Sequence, residues 1–240
     1  MEKNMRKKAF LGAILCTMVF LVSFQTRGAS SLFSSKSPTK GKVLAQKELD
    51  LKTRLPDAYG SSIFADNILL ALHYLKEDTG DLVVEKNTLN PSSINWEKVR
   101  EPFEVSFTLE PGQVFAFHNG SLPEFEKKIV TTMNSRFFIE EGYKSYAGLG
   151  GNGVCHLASL IDWAATDAGL GVTAKVNHDF YPVPGVPSKY GVSIYSQSDL
   201  QNLYVKNTRQ SKVRFVFKIK GDYIKLSLSD EAAATKSKGS

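Results

Sequence analysis

The residues best suited to chemistry are a cysteine and a histidine that lie 23 positions apart. Cys155 follows the glycine-rich segment 148–154 (GLGGNGV), and His178 comes after the next stretch that we expect to be a helix and a strand. A thiol attacks an amide or ester carbonyl once a nearby base takes its proton, and imidazole is the commonest such base. The pair therefore predicts a thiol acyl-transfer centre with Cys155 as nucleophile and His178 as general base.

The residues after Cys155 predict a helix that begins almost at the cysteine. Apolar residues recur at helical spacing between Val154 and Gly169, namely Leu157, Leu160, Ile161, Ala164 and Ala168. Unpaired amides and the helix dipole favour a thiolate at a helix start, so we expect the pKa of Cys155 to be lowered. The same main chain could hold a developing oxyanion. The residues that we predict for this role are Gly151, Asn152, Gly153 and Val154.

The partners of the histidine are less well defined. A polar residue on a neighbouring strand would orient the imidazole of His178, and Asp199 is our candidate. His156 adjoins Cys155 but is a poorer partner, because consecutive helical residues point about 100° apart. A structural role also remains open, since a cysteine at a helix start can pack as a small apolar residue without any chemistry.

The composition excludes several kinds of site. Two cysteines cannot build a disulfide scaffold, a cysteine-rich zinc site or an iron–sulfur cluster. The four histidines are too scattered to suggest a metal site. Segment 148–153 lacks the Lys-Ser/Thr that follows a phosphate-binding loop. We therefore expect neither a metal nor another cofactor.

The front of the chain predicts export. Residues 1–8 are basic and residues 9–24 are uncharged and apolar, the order typical of a secretory signal or a signal anchor. The positive-inside rule then places the rest of the protein outside the cytoplasm, with the membrane as a partner of this segment. The predicted organisation is a signal peptide or N-terminal anchor over 1–28, a Ser/Lys-rich tether over 29–45, one domain over 46–229 and a flexible tail over 230–240.

The formal charge of +6 is concentrated at the front of the chain. Residues 1–28 hold five basic residues against one acidic residue, and 29–44 add three lysines. What remains up to residue 229 is close to neutral, so it has no reason to bind a phosphate backbone. We therefore expect no nucleic-acid partner.

The patterning of the domain predicts one α+β fold, in which the cysteine-bearing helix packs on a mostly antiparallel sheet that ends in a β-meander. The predicted helices cover residues 63–76, 123–134 and 154–169. The predicted strands cover residues 105–109, 113–118, 172–176, 192–195, 203–206, 213–219 and 223–228, and the last three form the meander.

Several segments, in the right order, resemble the VanW-like family, named for an accessory protein of glycopeptide-resistance clusters. Segment 109–117 (LEPGQVFAF) is similar to the family's Pro-Gly-Glu-Val-Phe-Ser-Phe, and 141–144 (EGYK) to its Gly-Tyr-Lys. Segment 151–155 (GNGVC) resembles its Gly-Gly-Gly-Val-Cys-Gln, and 178–182 (HDFYP) its His-Ser-Tyr-Pro. Asp199 and Asn207 fall where the family has an Asp and an Asn.

The resemblance implies a bacterial protein of the cell envelope, but it implies no particular reaction. Two positions depart from the family pattern: Gln113 replaces an acidic residue, and His156 replaces the Gln after the cysteine. Two functions stay open. The first is a cysteine enzyme that acts on amide bonds of peptidoglycan or wall-linked proteins. The second is a non-catalytic wall- or glycopeptide-associated binding module with a structural cysteine.

Overall fold

A computed structural model describes residues 41–76, 82 and 90–231 of the chain. These residues combine helices with two four-stranded, mainly antiparallel sheets and a two-stranded one, which confirms the predicted α+β class. The predicted leader over 1–28 and most of the predicted tether and tail lie outside them. Within this described part, no helix is long and apolar enough to cross a membrane.

The helices and strands of the described residues are as follows. The strands are β1 (Lys42–Asp50), β2 (Phe103–Leu109), β3 (Val114–Ala116), β4 (Ile129–Thr131), β5 (Ser145–Tyr146), β6 (Leu149–Gly150), β7 (Gly171–Ala174), β8 (Leu203–Lys206), β9 (Lys212–Lys220) and β10 (Tyr223–Glu231). The α-helices are α1 (Ala58–Lys76), α2 (Trp96–Val99) and α3 (Val154–Asp167). Short 3-10 helices cover Pro91–Ser93, Ile139–Glu141 and Ser188–Tyr190.

The larger sheet has the strand order β1-β10-β9-β2, and each neighbouring pair is antiparallel. Its two central strands, β9 and β10, alternate between a buried face and a more exposed one. In β9, the buried residues Val213, Phe215, Phe217 and Ile219 alternate with four exposed basic residues and the partly buried Val216. This period of two lets one face of the sheet pack on the core while the other stays in water.

The second sheet has the order β4-β3-β8-β7, with β3 and β4 parallel and the other pairs antiparallel. Stacked aromatic rings join the two sheets. The ring of Phe107 in β2 lies 4.5 Å from that of Phe215 in β9 and 5.0 Å from that of Phe115 in β3, measured between centroids. These rings are part of one continuous apolar core.

Helix α3 contacts α1 and the strands β1, β10, β7 and β8. Its predicted apolar face is buried in full, since Leu157, Leu160, Ile161 and Ala164 have no exposed surface. The helix ends at Asp167, and Gly169 follows with φ of +72°, a left-handed conformation that favours glycine. The core therefore holds α3 between the two sheets and α1.

Several local expectations differ from the structure. The predicted helix over 123–134 is a turn followed by β4, because Phe125 and Ile129 pack on β3 and β8 instead of on a helical neighbour. The predicted closing meander is present only as the β9–β10 hairpin, since β8 belongs to the other sheet. Strand β1 begins at Lys42, inside the predicted tether.

Candidate functional site

The start of α3 is fixed by two glycines that approach other parts of the chain closely. Gly153 precedes the helix with φ of +104°, and a Cβ atom there would lie 2.6 Å from the carbonyl oxygen of Phe64 in α1. Gly151 has φ of +66°, and its Cβ would lie 2.7 Å from the carbonyl oxygen of Phe137. Only glycine lets the main chain come this near, so the glycine-rich segment positions Cys155 against α1.

The turn before Gly153 is held by a buried asparagine of α1. Asn67 donates its amide group to the carbonyl oxygens of Lys144 and Asn152, each at 3.0 Å, and accepts from the main-chain N–H of Lys144 at 2.8 Å. The side chain of Asn152 in turn accepts from the N–H of Tyr146 at 3.0 Å. Asn152 therefore shapes the turn that leads into α3.

Cys155 is half-buried in the first turn of α3. Its Sγ accepts a hydrogen bond from the N–H of Ile194 at 3.4 Å, and the thiol can donate to the Ile194 carbonyl at 3.9 Å. Burial raises the pKa of the thiol to about 11, and the main-chain N–H groups of Ile194 and Cys155 oppose this shift only in part. The expected lowering of this pKa is therefore wrong, because desolvation outweighs the amides of the helix start.

The segment that contacts the thiol is tied to both α3 and His178. Ser159 donates to the carbonyl of Cys155 at 2.7 Å and accepts from the N–H of Val192 at 2.9 Å. The N–H of His178 donates to the carbonyl of Gly191 at 3.2 Å. Residues 191–194 thus lie between Cys155 and His178, and the predicted strand over 192–195 is not formed. The N–H groups of Val192 and Ile194 donate to side chains of α3 instead of to a neighbouring strand.

The ring of His178 is oriented by a hydrogen bond that lets it act as a base. The ring is buried, and Nδ1 lies 2.8 Å from the carbonyl oxygen of Tyr181. A carbonyl can only accept, so we assign the proton of the neutral ring to Nδ1, which leaves a lone pair on Nε2. The ring also packs against Phe180, with centroids 4.1 Å apart. Main-chain bonding therefore orients the imidazole, the role that we expected Asp199 to have.

Asp199 does not join Cys155 and His178. It is exposed, and its carbonyl accepts from the hydroxyl of Tyr204 at 2.9 Å. Its carboxylate lies next to Gly120, where a Cβ atom would come within 2.4 Å of Oδ1. The charge of Asp199 acts on the nearby ring of His118. We expected Asp199 to orient His178 because of its carboxylate side chain, whereas the group that accepts from His178 in the structure is the main-chain oxygen of Tyr181.

His156 contributes more to the site than its sequence neighbourhood suggests. Its ring is buried, lies 5.9 Å from the His178 ring between centroids and packs edge-on at 5.2 Å against Phe64. Burial, and next the positive charge of Arg54, lower the pKa of His156 to about 3. The ring is therefore neutral at any ordinary pH.

The predicted oxyanion segment is only partly available. The N–H of Val154 donates to the carbonyl of Gly151 at 3.3 Å, so this group already has a partner. Among the described residues, the N–H of Cys155 donates to no main-chain carbonyl. The amide of Cys155, which the sequence did not single out, is thus a better candidate donor than that of Val154.

A pocket of about 620 Å³ brings these residues together. Cys155, His156 and His178 line it, as do all four predicted oxyanion residues, whereas Asp199 does not. Most of the wall is apolar, and large apolar side chains remain exposed around it. These are Ile139, Leu149, Phe180, Tyr181 and Tyr195, with exposed fractions between 38% and 74%. Such a concentration of apolar surface around a concave site is typical of ligand-binding pockets.

Other positions marked by the sequence have structural roles. Gln113 accepts from the N–H of Glu110 at 2.8 Å and shapes the turn between β2 and β3. Asn207 is fully buried and donates to the carbonyls of Leu109 and Ser211. Within the described ranges, no group of three or more His, Cys, Asp or Glu residues is arranged to hold a metal ion.

The sequence missed three contributors to the site. Tyr181 and Ile194 act through main-chain atoms, which leave no signal in residue types. Phe64 reaches the pocket from α1, about 90 residues before the cysteine, and only its apolar periodicity was visible. Contacts of this kind depend on the packing of α1 against α3.

Comparison with known proteins identifies a family. The family model described as "VanW like protein" matches residues 105–229, just over half of the chain. No curated protein and no solved structure matches the chain. The matched range contains Cys155, His178 and the segment 191–194 that lies between them. The chain belongs to the VanW-like family.

Proposed function

We propose that the protein is a cysteine acyl-transfer enzyme of the bacterial cell envelope, which acts on amide bonds of peptidoglycan peptides or wall-linked proteins. One observation carries the proposal: Cys155 and His178 line the same pocket, and the carbonyl of Tyr181 holds His178 so that Nε2 has a free lone pair. A nucleophile, a base and a group that orients the base are the parts that this chemistry requires.

In the proposed reaction, His178 Nε2 takes the thiol proton while the sulfur of Cys155 attacks the carbonyl carbon of the amide. The oxygen of the tetrahedral intermediate takes the negative charge, and the main-chain N–H of Cys155 is its candidate donor. The C–N bond then breaks, and His178 returns the proton to the leaving amine. Water or a second amine attacks the thioester, and the Cys155 thiol is regenerated.

The high pKa of Cys155 bears on how this reaction begins. With a pKa of about 11 the resting residue is a thiol and not a thiolate. His156, which would add positive charge if it were protonated, is held neutral by burial and by Arg54. The proposed mechanism is therefore general-base catalysis on a neutral thiol, in which the proton leaves the sulfur as the sulfur attacks. It does not require a thiolate–imidazolium ion pair in the resting enzyme.

The envelope location rests on the front of the chain, which lies outside the described residues. A basic segment before an apolar run directs export and leaves the following domain outside the cytoplasm. The apolar and aromatic wall of the pocket suits an extended peptide better than a highly charged ligand. Peptides of the cell wall would meet an exported domain of this kind.

The test is the rate at which iodoacetamide labels Cys155 in the full-length protein, followed from pH 5 to pH 10. If His178 takes the thiol proton, labelling near neutral pH exceeds that of an isolated thiol with a pKa of about 11. His178→Ala then slows labelling at pH 7 by at least about tenfold, since a positioned base contributes about 10²–10⁴.

His118→Ala is the matched control, because this second buried histidine does not line the pocket. If the slower labelling is due to the loss of His178 itself, His118→Ala leaves the dependence of the labelling rate on pH unchanged. Cys16, in the predicted leader, is replaced by Ser in every sample so that only Cys155 reacts. Superimposable profiles for the wild type and His178→Ala would exclude His178 as the base and with it the enzyme.

One observation favours a second function, a binding module without covalent chemistry. The sulfur of Cys155 accepts a hydrogen bond from the main-chain N–H of Ile194, and burial stabilises the neutral thiol. Both facts suit a structural thiol in the wall of a ligand pocket. Incubation with peptidoglycan separates the two functions, since the enzyme releases soluble fragments and the module is only retained. Cys155→Ala abolishes release but leaves retention intact.

A further inference from the structure

Arg54 is the most unusual side chain beside the pocket. It is 1% exposed, and its guanidinium forms no ion pair with any carboxylate of the described residues. Nη2 donates to the carbonyl of Pro184 at 3.0 Å, whereas the buried Nε and Nη1 have no acceptor. Asp50 acts on Arg54 only through its charge. The Asp50 carboxylate accepts hydrogen bonds from the main-chain N–H of Lys52 and the hydroxyl of Thr53 instead.

A third unpartnered atom belongs to His156. Nδ1 of His156 is buried and forms no hydrogen bond, although the His156 ring lines the pocket. Arg54 is close enough for its charge to act on His156, and Leu55, the next residue, also lines the pocket. Three buried polar atoms without partners thus belong to two side chains, of which His156 lines the pocket and Arg54, next to the lining residue Leu55, does not.

This arrangement is costly unless something completes it. A buried guanidinium without an opposite charge loses its hydration and gains no ion pair in return. A buried ring nitrogen without a partner adds a further penalty. In most proteins such groups are paired, so a cluster of them indicates a place where a ligand supplies the missing acceptors.

We propose that Arg54 and His156 form a binding site for a carboxylate beside the Cys155 pocket. The Nε–H and Nη1–H groups of Arg54 would donate to its oxygens, and so would His156 once its single proton is on Nδ1. The inference rests on the proposed function and narrows its substrates to peptides that carry a free carboxylate near the amide bond that is attacked.

The test uses acetate as the probe and the full-length protein labelled with ¹⁵N-arginine. The Nε–Hε resonance of Arg54, assigned by its loss in Arg54→Lys, is followed during a titration at constant ionic strength. Acetate shifts it saturably and binds at least about tenfold more tightly than neutral acetamide, since hydrogen bonds between charged groups contribute more than neutral ones.

The spectrum contains its own control. Arg100 already donates its Nε and Nη2 to Asp66 at 2.7 Å, so its resonance stays in place when acetate is added. His156→Phe, which keeps an aromatic ring but removes Nδ1, weakens acetate binding several-fold. The comparison of acetate with acetamide uses the wild type, and Arg54→Lys serves only to assign the resonance.

The result that overturns the site is an Arg54 resonance that does not respond to acetate, or responds equally to acetamide. Cys155→Ala separates this result from a failure of the proposed enzyme. The variant has no nucleophile, yet it binds acetate as the wild type does if the site exists. A site that binds acetate while labelling of Cys155 is indifferent to His178 would belong to a binding module.

Discussion

Burial disfavours the ionised forms of two acidic groups of α3. Burial raises the pKa of the Cys155 thiol to about 11 and that of the Asp162 carboxyl to about 6. The hydroxyl of Thr166 donates to Asp162 at 2.9 Å, which opposes the shift of Asp162 but does not cancel it. Ionisation of either group therefore costs folding free energy.

Asp162→Asn tests this cost. The folded pKa of about 6 lies above the ordinary aspartate value of 3.8, so the favourable contribution of the neutral carboxyl is complete below 3.8 and is lost as the pH rises through 6. Asn cannot ionise and still accepts from Thr166. We expect the stability of the variant relative to wild type to increase by about 2 kcal/mol between pH 4 and pH 7.5.

Urea unfolding at the two pH values measures the difference. Asp179→Asn is the control, because it removes the same charge from an exposed position. An Asp162→Asn effect that does not change with pH would mean that Asp162 ionises as freely in the folded protein as in the unfolded chain.

At this scale, residue types predicted Cys155 and His178 because a nucleophile and a base have distinctive side chains. They could not predict the orienting group, since the carbonyl of Tyr181 is chemically the same as any other. They also gave the wrong direction for the pKa of Cys155. The amides of a helix start can be read from a sequence, but the depth of burial depends on the whole fold.

At the scale of elements, the position of Cys155 depends on how closely α3 approaches α1. Gly153 allows this approach because it has no Cβ atom to collide with Phe64. Gly148, in the same segment, also has a left-handed conformation, with φ of +79°, but nothing lies within 4 Å of its Cβ position. Substitutions at the two glycines therefore distinguish the cost of lost close packing from the cost of backbone strain.

We expect Gly153→Ala to destabilise the fold much more than Gly148→Ala. The left-handed conformation costs each alanine about 1–2 kcal/mol. The collision with the main chain of Phe64 adds about 1–3 kcal/mol at Gly153 alone. Denaturant unfolding of the two variants measures the difference, and equal losses would show that α1 can move away from α3 at little cost.

Elements with a long, regular pattern could be predicted closely. Strand β9 and helix α3 lie within two residues of their predicted ends, because each has one buried face with a clear period. The predicted helix over 123–134 is not formed, and Phe125 and Ile129 of this segment pack in the second sheet instead. Their contacts with β3 and β8 decide the outcome, and neither partner is adjacent in sequence.

For the molecule as a whole, the range matched by the family does not contain all the parts that shape the site. Residues 105–229 lack β1 and α1. Helix α1 supplies Phe64 to the pocket and Asn67 to the turn before α3. Strand β1 pairs with β10 along its whole length and buries Leu49.

A fragment of residues 105–229 should therefore not fold alone, whereas residues 41–231 should unfold cooperatively. Without β1 and α1, the fragment exposes one edge of β10 and the core surface that Ile68–Leu72 cover. Thermal unfolding followed by circular dichroism compares the two chains. A sharp transition in the shorter fragment would show that α1 and β1 are additions to a self-sufficient domain.

The pairing of β1 with β10 also brings the two ends of the domain together. Lys42 lies opposite Asp230, so the chain enters and leaves at neighbouring positions of one sheet. Opposed residues in antiparallel strands have Cα atoms about 5 Å apart. A short linker could therefore join these ends, and the chain could be reopened in the turn between β8 and β9. Such a circularly permuted protein would keep every strand neighbour and the complete pocket.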